Sequence, residues 1–332
     1  MKFELYLHKH LKLEQVDKWI STLQRSLQNC YKLRSGLNAN WVATLASTRL
    51  IGELIKRIAR LSEDKGCRGA FLHTLVYTRP FPAQFYNLSA IWNQVRVLYL
   101  ENSFLLWNEG TQNLFSSLHN LQELSLYDIS HGFRPKSEGP GWREVPALNM
   151  NINSRCLEKL TLCHVGFECF YDRSYLNLVE LSYTTRHRGT VVLRDRALTL
   201  SNLRILSVTA YWPLIRSINA PNIEVVKMRG GHMVHLEDIC MFKLRPQVLY
   251  IHIKKSTDQA FFKHALNALS IPSLIDLRLE QDNFPKLDID LLQRMLGHVK
   301  RGLSVRWNGA QVTGNLEQMA TWTESGRLEG ES

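Results

Sequence analysis

The chain has 332 residues, of which 45% are hydrophobic and 21% charged, a balance typical of folded proteins and not of disordered ones. No apolar run reaches the roughly 18 residues that a membrane-spanning helix requires, and the first ten residues lack the apolar core of a secretory signal. The net charge of +11 makes an anionic partner one hypothesis, although 30 acidic residues are interspersed among the 41 basic ones.

The first 71 residues have the pattern of degenerate N-terminal helical and repeat units. FELYL at 3–7 predicts a strand, and a weaker strand is predicted near 31–33. Residues 14–27 and 41–61 place apolar side chains on one helical face, which predicts two amphipathic helices. The second of these helices is basic. Such a helix can lie on a membrane, but in a repeat protein it ordinarily packs on its neighbour with its charged face in water.

A phrase of the form L-x-x-L-x-L recurs roughly every 25 residues from residue 72 onwards. Its clear copies begin at Leu121, Leu157 and Leu274, and looser copies begin at Leu72, Val95, Leu178, Leu203, Ile223, Pro246 and Lys300. This period is typical of leucine-rich repeats, whose units stack to bury their apolar edges. The predicted fold is an α/β leucine-rich-repeat solenoid over 72–310. Its curved parallel sheet would line the concave side, with helices and irregular segments on the convex side.

Three segments differ from the plain repeat. Residues 129–152 are rich in Gly and Pro, which predicts a loop insertion that is either a binding loop or a tolerated excursion. Residues 261–269 and 288–299 have helical periodicity, and Asp288 is in place to cap the second helix. Residues 311–332 are polar and predict a frayed tail.

No pattern of catalytic or cofactor-binding residues occurs in the sequence. It contains no glycine-rich phosphate loop and no G-x-S-x-G phrase. Three groups resemble metal ligands: Asp288 with Asp290; His232 and His235 with Cys240; and Cys156, Cys163, His164 and Cys169. Two aspartates at a helix start more often cap it, the second group lacks a fourth ligand, and the strand register separates the third. We therefore predict that the protein is not an enzyme and holds no metal or cofactor.

The outward-facing positions of the repeat define the candidate site. Because strand side chains alternate, the fourth and sixth positions point into the core, and the third, fifth and seventh point onto the concave sheet. The fifth positions are Val76, Tyr99, Ser125, Thr161, Ser182, Ser207, Lys227, Tyr250, Arg278 and Ser304. The seventh positions are Thr78, Glu101, Tyr127, Cys163, Thr184, Thr209, Arg229, His252, Glu280 and Arg306.

The C-terminal third of these positions is basic and aromatic, whereas the middle is small and hydroxylated. We predict that a protein partner contacts six residues there: Lys227, Arg229, Tyr250, His252, Arg278 and Arg306. Tyr and Arg are the residue types that most often anchor interfaces. The alternative is a merely solvated face, in which Asp276 and Glu280 neutralise Arg278 in weak surface pairs.

The irregular repeats resemble those of fungal F-box proteins with leucine-rich repeats. The likeness covers about 70–310 and rests on the phrases SNLRILSV and INAPNIEVVKMRG, with Trp19, Trp41, Trp92 and Trp107 in the early segment. The resemblance implies a region that selects the substrate of a cullin ubiquitin ligase. In that family an N-terminal F-box docks on a Skp1-type adaptor. Residues 1–60 contain no Leu-Pro, with which an F-box begins, so no F-box residue is transferred.

Two hypotheses for the function follow. The first is a non-catalytic protein-recognition scaffold, the substrate-binding region of an F-box-type receptor or a relic of one. The alternative is a basic repeat protein that binds nucleic acid or a phosphoinositide surface. Nucleic acid is disfavoured because no run of five like charges occurs. The six cysteines are scattered without paired spacing, which favours the cytoplasm or the nucleus.

Overall fold

The L-x-x-L-x-L phrases form β-strands in the structure, which is a computed structural model. The structure describes residues 2–6, 18, 21, 38–43, 74–77, 92–93, 95–101, 104–106, 109–132, 154–165, 177–184, 198–209, 218–230, 244–253, 268–281 and 289–312. The chain divides into two compact units, one comprising Met1–Asn177 with Gly189–Val192 and the other Leu178–Arg188 with Leu193–Ser332.

The first unit is built on a parallel sheet. Its strands, in order across the sheet, are β1 (Lys2–Tyr6), β2 (Asn38–Ala43), β3 (Thr74–Tyr77), β4 (Val97–Glu101), β6 (Glu123–Tyr127) and β8 (Lys159–Cys163). A smaller parallel pair joins β5 (Phe104–Leu106) to β7 (Ser130–Gly132). Helix α1 (Glu109–Ser116) lies between β5 and β6 in the chain. Each repeat from β3 onwards therefore gives one strand to the main sheet.

The second unit repeats this arrangement. Its parallel strands are β9 (Glu180–Thr184), β11 (Ile205–Thr209), β13 (Val225–Gly230), β14 (Val248–Ile253), β15 (Asp276–Gln281) and β16 (Ser304–Trp307). A two-stranded parallel sheet pairs β10 (Leu198–Thr199) with β12 (Ile218–Asn219). Helix α2 (Ile289–Val299) precedes β16, and β17 (Ala310–Gln311) pairs with β16 in the antiparallel sense. Each unit is thus a parallel-sheet repeat solenoid, with few helices among the described residues.

The buried side chains follow the repeat. In each of the long repeat strands β4, β6, β8, β9, β11, β13, β14, β15 and β16, the residues at the fourth and sixth repeat positions are buried. The pairs are Leu98 and Leu100, Leu124 and Leu126, Leu160 and Leu162, Leu181 and Tyr183, Leu206 and Val208, Val226 and Met228, Leu249 and Ile251, Leu277 and Leu279, and Val305 and Trp307. The prediction that these positions form the core is confirmed for β4 to β15, whereas the last repeat is shifted by two residues from its predicted position. Burying these side chains removes the apolar edge of each unit from water.

Backbone hydrogen bonds between successive repeats also recur. The Arg96 carbonyl accepts the amides of Gln122 at 2.7 Å and Glu123 at 2.9 Å, and the Gln247 carbonyl accepts those of Ile275 at 2.8 Å and Asp276 at 3.1 Å. The same pattern recurs at the carbonyls of Gln122, Val179, Arg204 and Glu224. These backbone bonds help to fix which residues of neighbouring strands lie opposite each other, independently of the side chains on the outward face.

Asparagines just before the strands link neighbouring repeats. The Asn120 side-chain amide donates to the Asn93 carbonyl at 2.8 Å, and that of Asn222 donates to the Ser201 carbonyl at the same distance. Asn177 bonds the Arg155 carbonyl in the same way. These contacts explain the polar residue in the sequences HNL and APNI that lead into the repeats, since its amide satisfies a turn carbonyl of the preceding unit.

Several predicted elements can be compared with the structure. The strand predicted at 3–7 is confirmed as β1, and the helix predicted at 288–299 is confirmed as α2. The helix predicted from residue 41 was wrong at its start, because Asn38–Ala43 forms β2 and pairs with β1. Trp41 and Val42 are strand formers, and the pairing to β1 and β3 outweighs a weak helical period.

Other predicted features fall wholly or partly outside the described residues. These are the weak strand near 31–33, most of the helices at 14–27 and 261–269, the cap at Asp288, the insertion beyond Gly132 and the tail beyond Val312. The start of the insertion is described: Ile129 is buried, and Ser130–Gly132 pairs with β5. The domain boundaries at 71 and 310, and a single continuous array over 72–310, stay predictions.

Candidate partner-binding surface

The structure brings all six predicted site residues to one face of strands β13 to β16 in the second unit. In one row across the strands, Lys227 lies opposite Tyr250, Tyr250 opposite Arg278, and Arg278 opposite Arg306. In the next row Arg229 lies opposite His252, and His252 opposite Glu280. These seven residues, the six predicted ones and Glu280, are called the basic–aromatic surface.

The row that contains Arg306 differs from the sequence prediction. Arg306 was placed at a seventh position beside Glu280, with Ser304 at a fifth position. In the structure Ser304 pairs with Asp276 and Arg306 with Arg278, so the last repeat begins two residues later, at Gly302. Val305 and Trp307 fill its core positions, with Trp307 only 7% exposed. The largest apolar side chain of the segment sets the register, because burying it removes the most apolar area from water.

The dimensions of the surface follow from sheet geometry. Adjacent strands lie about 4.8 Å apart, so the row from Lys227 to Arg306 spans about 14 Å over three strand gaps. The two rows are separated by two residues along each strand, or about 7 Å. An area of this size fits a short peptide segment and is smaller than a whole protein interface.

Asp276 holds Arg278 in place at the third repeat position of β15. Both Nε and Nη2 of Arg278 lie 2.8 Å from Asp276 Oδ2, and Ser304 Oγ donates to Asp276 Oδ1 at 3.0 Å. The Asp276 side chain is 17% exposed, against 43% for Arg278. The guanidinium is therefore oriented and its charge is compensated locally by Asp276, one of the two carboxylates expected near it.

A second polar cluster joins Tyr250 to its neighbours on β13 and β15. The Tyr250 hydroxyl donates to Glu280, and Arg229 Nε donates to His252 Nδ1 at 2.9 Å. Burial and the Glu280 carboxylate raise the pKa of Tyr250, and the nearby Arg229 guanidinium acts in the opposite direction. The Tyr250 hydroxyl thus lies between a carboxylate and a guanidinium, and the residue is half-buried.

The two ends of the row that runs from Lys227 to Arg306 carry uncompensated positive charge. Lys227 and Arg306 are exposed, and neither has an ion pair within the described residues of the second unit. They flank Tyr250 and Arg278 in the same row. Two exposed cations without an ion pair in the described part of the chain therefore stand at opposite ends of this row.

An apolar strip, defined by Ile205, Val225 and Val248, lies beside the basic–aromatic surface on the same face. The three residues pair across β11, β13 and β14, and each is half-buried. They occupy third positions of their repeats, two residues before the row of Lys227 and Tyr250. Third positions were predicted to point outward, and the apolar character of these three in successive repeats is the sequence signal of the strip.

The same repeat positions in the first unit carry tyrosines. The rings of Tyr99 and Tyr127 lie 5.0 Å apart at 30°, and the Tyr99 hydroxyl donates to Glu101 at 3.1 Å. Burial, together with the Glu101 carboxylate, raises the pKa of Tyr99 from 10.0 to about 12. This cluster is less basic than the surface of the second unit, since Glu101 is its charged member.

The raised pKa of Tyr99 predicts a pH effect on stability. A tyrosine whose folded-state pKa is raised stabilises the fold fully below its unfolded value of 10.0, and this contribution is lost as the pH rises through about 12. Absorbance titration of tyrosinate should show a component near pH 12 that disappears in Tyr99→Phe. Unfolding of that variant should vary less with pH between 10 and 12. Tyr127→Phe is the control. If Tyr127→Phe removed the component near pH 12 and Tyr99→Phe left it in place, the assignment to Tyr99 would be contradicted.

Metal ligands do not cluster in the described part of the chain. No group of three or more His, Cys, Asp or Glu side chains there is arranged to hold a metal ion. Cys156 is exposed and Cys163 half-buried, and neither is in a disulfide. His232, His235, Cys240 and Cys169 lie outside the described residues. Within the described residues, no helix combines the length and apolar character needed to cross a membrane.

Comparison with known proteins gives no family assignment. The sequence matches none of the protein-family models and none of the curated proteins with which it was compared.

Proposed function

We propose that the chain is a non-catalytic protein-recognition scaffold whose main partner contacts the basic–aromatic surface. The observation that carries this proposal is the strand register, which gathers six residues from four repeats into two adjoining rows. Tyr250 and the arginines are the residue types that most often anchor interfaces. The scaffold would be of the leucine-rich-repeat class, with its return segments on the convex side.

The resemblance to fungal F-box proteins extends this proposal. On that basis the surface would select the substrate of a cullin ubiquitin ligase, in the cytoplasm or the nucleus. The resemblance covers the repeat region and supplies no F-box residue, so docking on a Skp1-type adaptor is a separate part of the proposal. The two parts have separate tests, because substrate and adaptor would bind different regions of the chain.

Affinity purification of the tagged, intact chain from its native cells tests both parts. A Tyr250→Ala chain is purified in parallel, with Tyr127→Ala as the matched control, since it removes a half-buried tyrosine from the first unit. Partners that depend on the surface should be depleted in the first variant alone. Their purified complexes should weaken about tenfold or more, as expected for truncation of an anchor residue.

The outcomes separate the hypotheses. Recovery of a Skp1-type adaptor and a cullin with both variants would support the receptor role, whereas their absence from every sample would leave a free-standing scaffold. Equal partner sets for Tyr250→Ala and the unaltered chain would overturn the proposed surface. Binding of nucleic acid or phosphoinositide vesicles that falls steeply with salt, without protein partners, would favour the alternative function instead.

A further inference from the structure

We propose that the partner meets the basic–aromatic surface with an acidic peptide segment, which places carboxylates at Lys227 and Arg306 and an apolar side chain on the apolar strip. This inference rests on the proposed function and deepens it by giving the chemistry of the partner. It commits to a protein segment, in an extended conformation, that crosses strands β13 to β16.

The distribution of charge carries the first step. The basic–aromatic surface and Asp276 together hold four cations and two carboxylates, and the carboxylates are already engaged. Asp276 compensates the charge of Arg278, and Glu280 accepts a hydrogen bond from the Tyr250 hydroxyl, which also lies near Arg229. Lys227 and Arg306 remain exposed without an ion pair within the described residues. These two residues therefore offer a partner positive charge, at the two ends of the row, that no carboxylate of the surface engages.

The pairing of Arg278 with Arg306 carries the second step. Like charges directly opposite each other on neighbouring strands destabilise a sheet. These two arginines are opposite each other in the register, and Asp276 compensates only one of them. A carboxylate from a partner, placed beside Arg306, would compensate the second. Arg–carboxylate pairs are also favoured geometrically, because the planar guanidinium offers two parallel donors.

The neighbourhood of these cations favours a peptide over a nucleic acid. A polyanionic backbone would meet the Glu280 carboxylate within the surface and would gain nothing from Val225 and Val248. A peptide can present carboxylates to the cations and an apolar side chain to the strip, about 7 Å away along the strands. The combination of two open cations, a central acid and an adjoining apolar strip therefore fits an acidic segment that also carries apolar residues.

The separation of the two cations predicts the spacing in the segment. Lys227 and Arg306 are about 14 Å apart across three strand gaps. An extended chain rises about 3.4 Å per residue, so side chains four residues apart on one side span nearly the same distance. The segment should therefore carry acidic residues at positions i and i+4.

Selection of a displayed library of random 12-residue peptides on the intact chain tests this inference. Enriched peptides should carry Asp or Glu at i and i+4 with at least one apolar neighbour. A labelled enriched peptide is then titrated by fluorescence anisotropy. Its affinity should fall at least tenfold for the chain with Lys227→Glu and Arg306→Glu. It should change less than twofold for the control with Arg294→Glu and Arg301→Glu, two exposed arginines outside the surface.

The peptide is altered as well: replacing both of its acidic residues with their amides should lower the affinity by a similar factor.

Enrichment of neutral or basic peptides, no enrichment at all, or equal binding by both doubly substituted chains would overturn the inference. Stronger binding of a 12-nucleotide single-stranded DNA at the same two cations would also overturn it, in favour of nucleic acid. Neutral peptides whose binding is lost in Tyr250→Ala would leave the proposed function standing. Binding insensitive to both Tyr250→Ala and the charge reversals would end both proposals.

Discussion

Replacing Leu206 by alanine should lower the free energy of unfolding by about 2–5 kcal/mol, the usual cost of truncating a buried leucine. Leu206 is fully buried in β11, and its strand pairs on both sides with β9 and β13. Its side chain therefore packs in a core that extends through successive repeats. The cavity left behind cannot close easily, because backbone hydrogen bonds to both neighbours hold the strand in register.

The adjoining residue provides the control. Ser207→Ala, on the outward face of the same strand, should change the free energy of unfolding by no more than about 0.5 kcal/mol. Urea denaturation followed by circular dichroism measures both variants. If Leu206→Ala cost no more than Ser207→Ala, the two faces of β11 would be assigned the wrong way round, and the fifth-position row would belong to the core.

The core was predictable because burial and the strand period agree. Leu124 and Leu126, or Leu277 and Leu279, repeat an alternation that only one face of a strand can satisfy, and the structure buries both pairs completely or nearly so. The fifth- and seventh-position rows follow from the same alternation. This explains why Lys227, Tyr250 and Arg278 were placed in one row before their strands were known to be neighbours.

The prediction failed where apolar residues were few. The phrase KRGLSV fits the repeat only at its last two apolar positions, and the apolar pattern alone does not distinguish it from GLSVRW, which the structure uses. The Asn308-Gly309 dipeptide after Trp307 was an overlooked signal. Its φ values of 44° and 85° suit the two-residue hairpin turn that leads into β17. Recognising that hairpin would have fixed Trp307 as the last strand residue and corrected the position of Arg306.

The contacts within the surface required the structure itself. Tyr250 bonds Glu280 across 30 residues of sequence, and Arg229 bonds His252 across 23. Which of several cations a carboxylate engages depends on side-chain geometry across strands, and the repeat pattern leaves that geometry open. The sequence indicated that Asp276 and Glu280 lie near Arg278, but the structure shows that they engage different partners.

Asp276→Ala should have opposite effects on stability and on binding. The free energy of unfolding should fall by about 1 kcal/mol, because the variant loses the hydrogen bonds that Asp276 accepts from Arg278 and Ser304, and the ion pair with Arg278 is partly exposed and hence partly screened. Affinity for the acidic peptides should rise about three- to tenfold at low ionic strength. With Asp276 gone, Arg278 and Arg306 stand opposite each other without a carboxylate, and an incoming one would compensate both.

The opposite signs distinguish a binding surface from a merely solvated face. On a solvated face Asp276 is only a counter-ion, so its removal should lower stability and leave peptide affinity unchanged. Glu158→Ala is the matched control, since it removes an exposed carboxylate from the first unit and changes the net charge equally. A rise in affinity that Glu158→Ala reproduced would reflect net charge alone. A rise confined to Asp276→Ala would show that Asp276 and the partner's carboxylate compensate the same pair of facing arginines, Arg278 and Arg306.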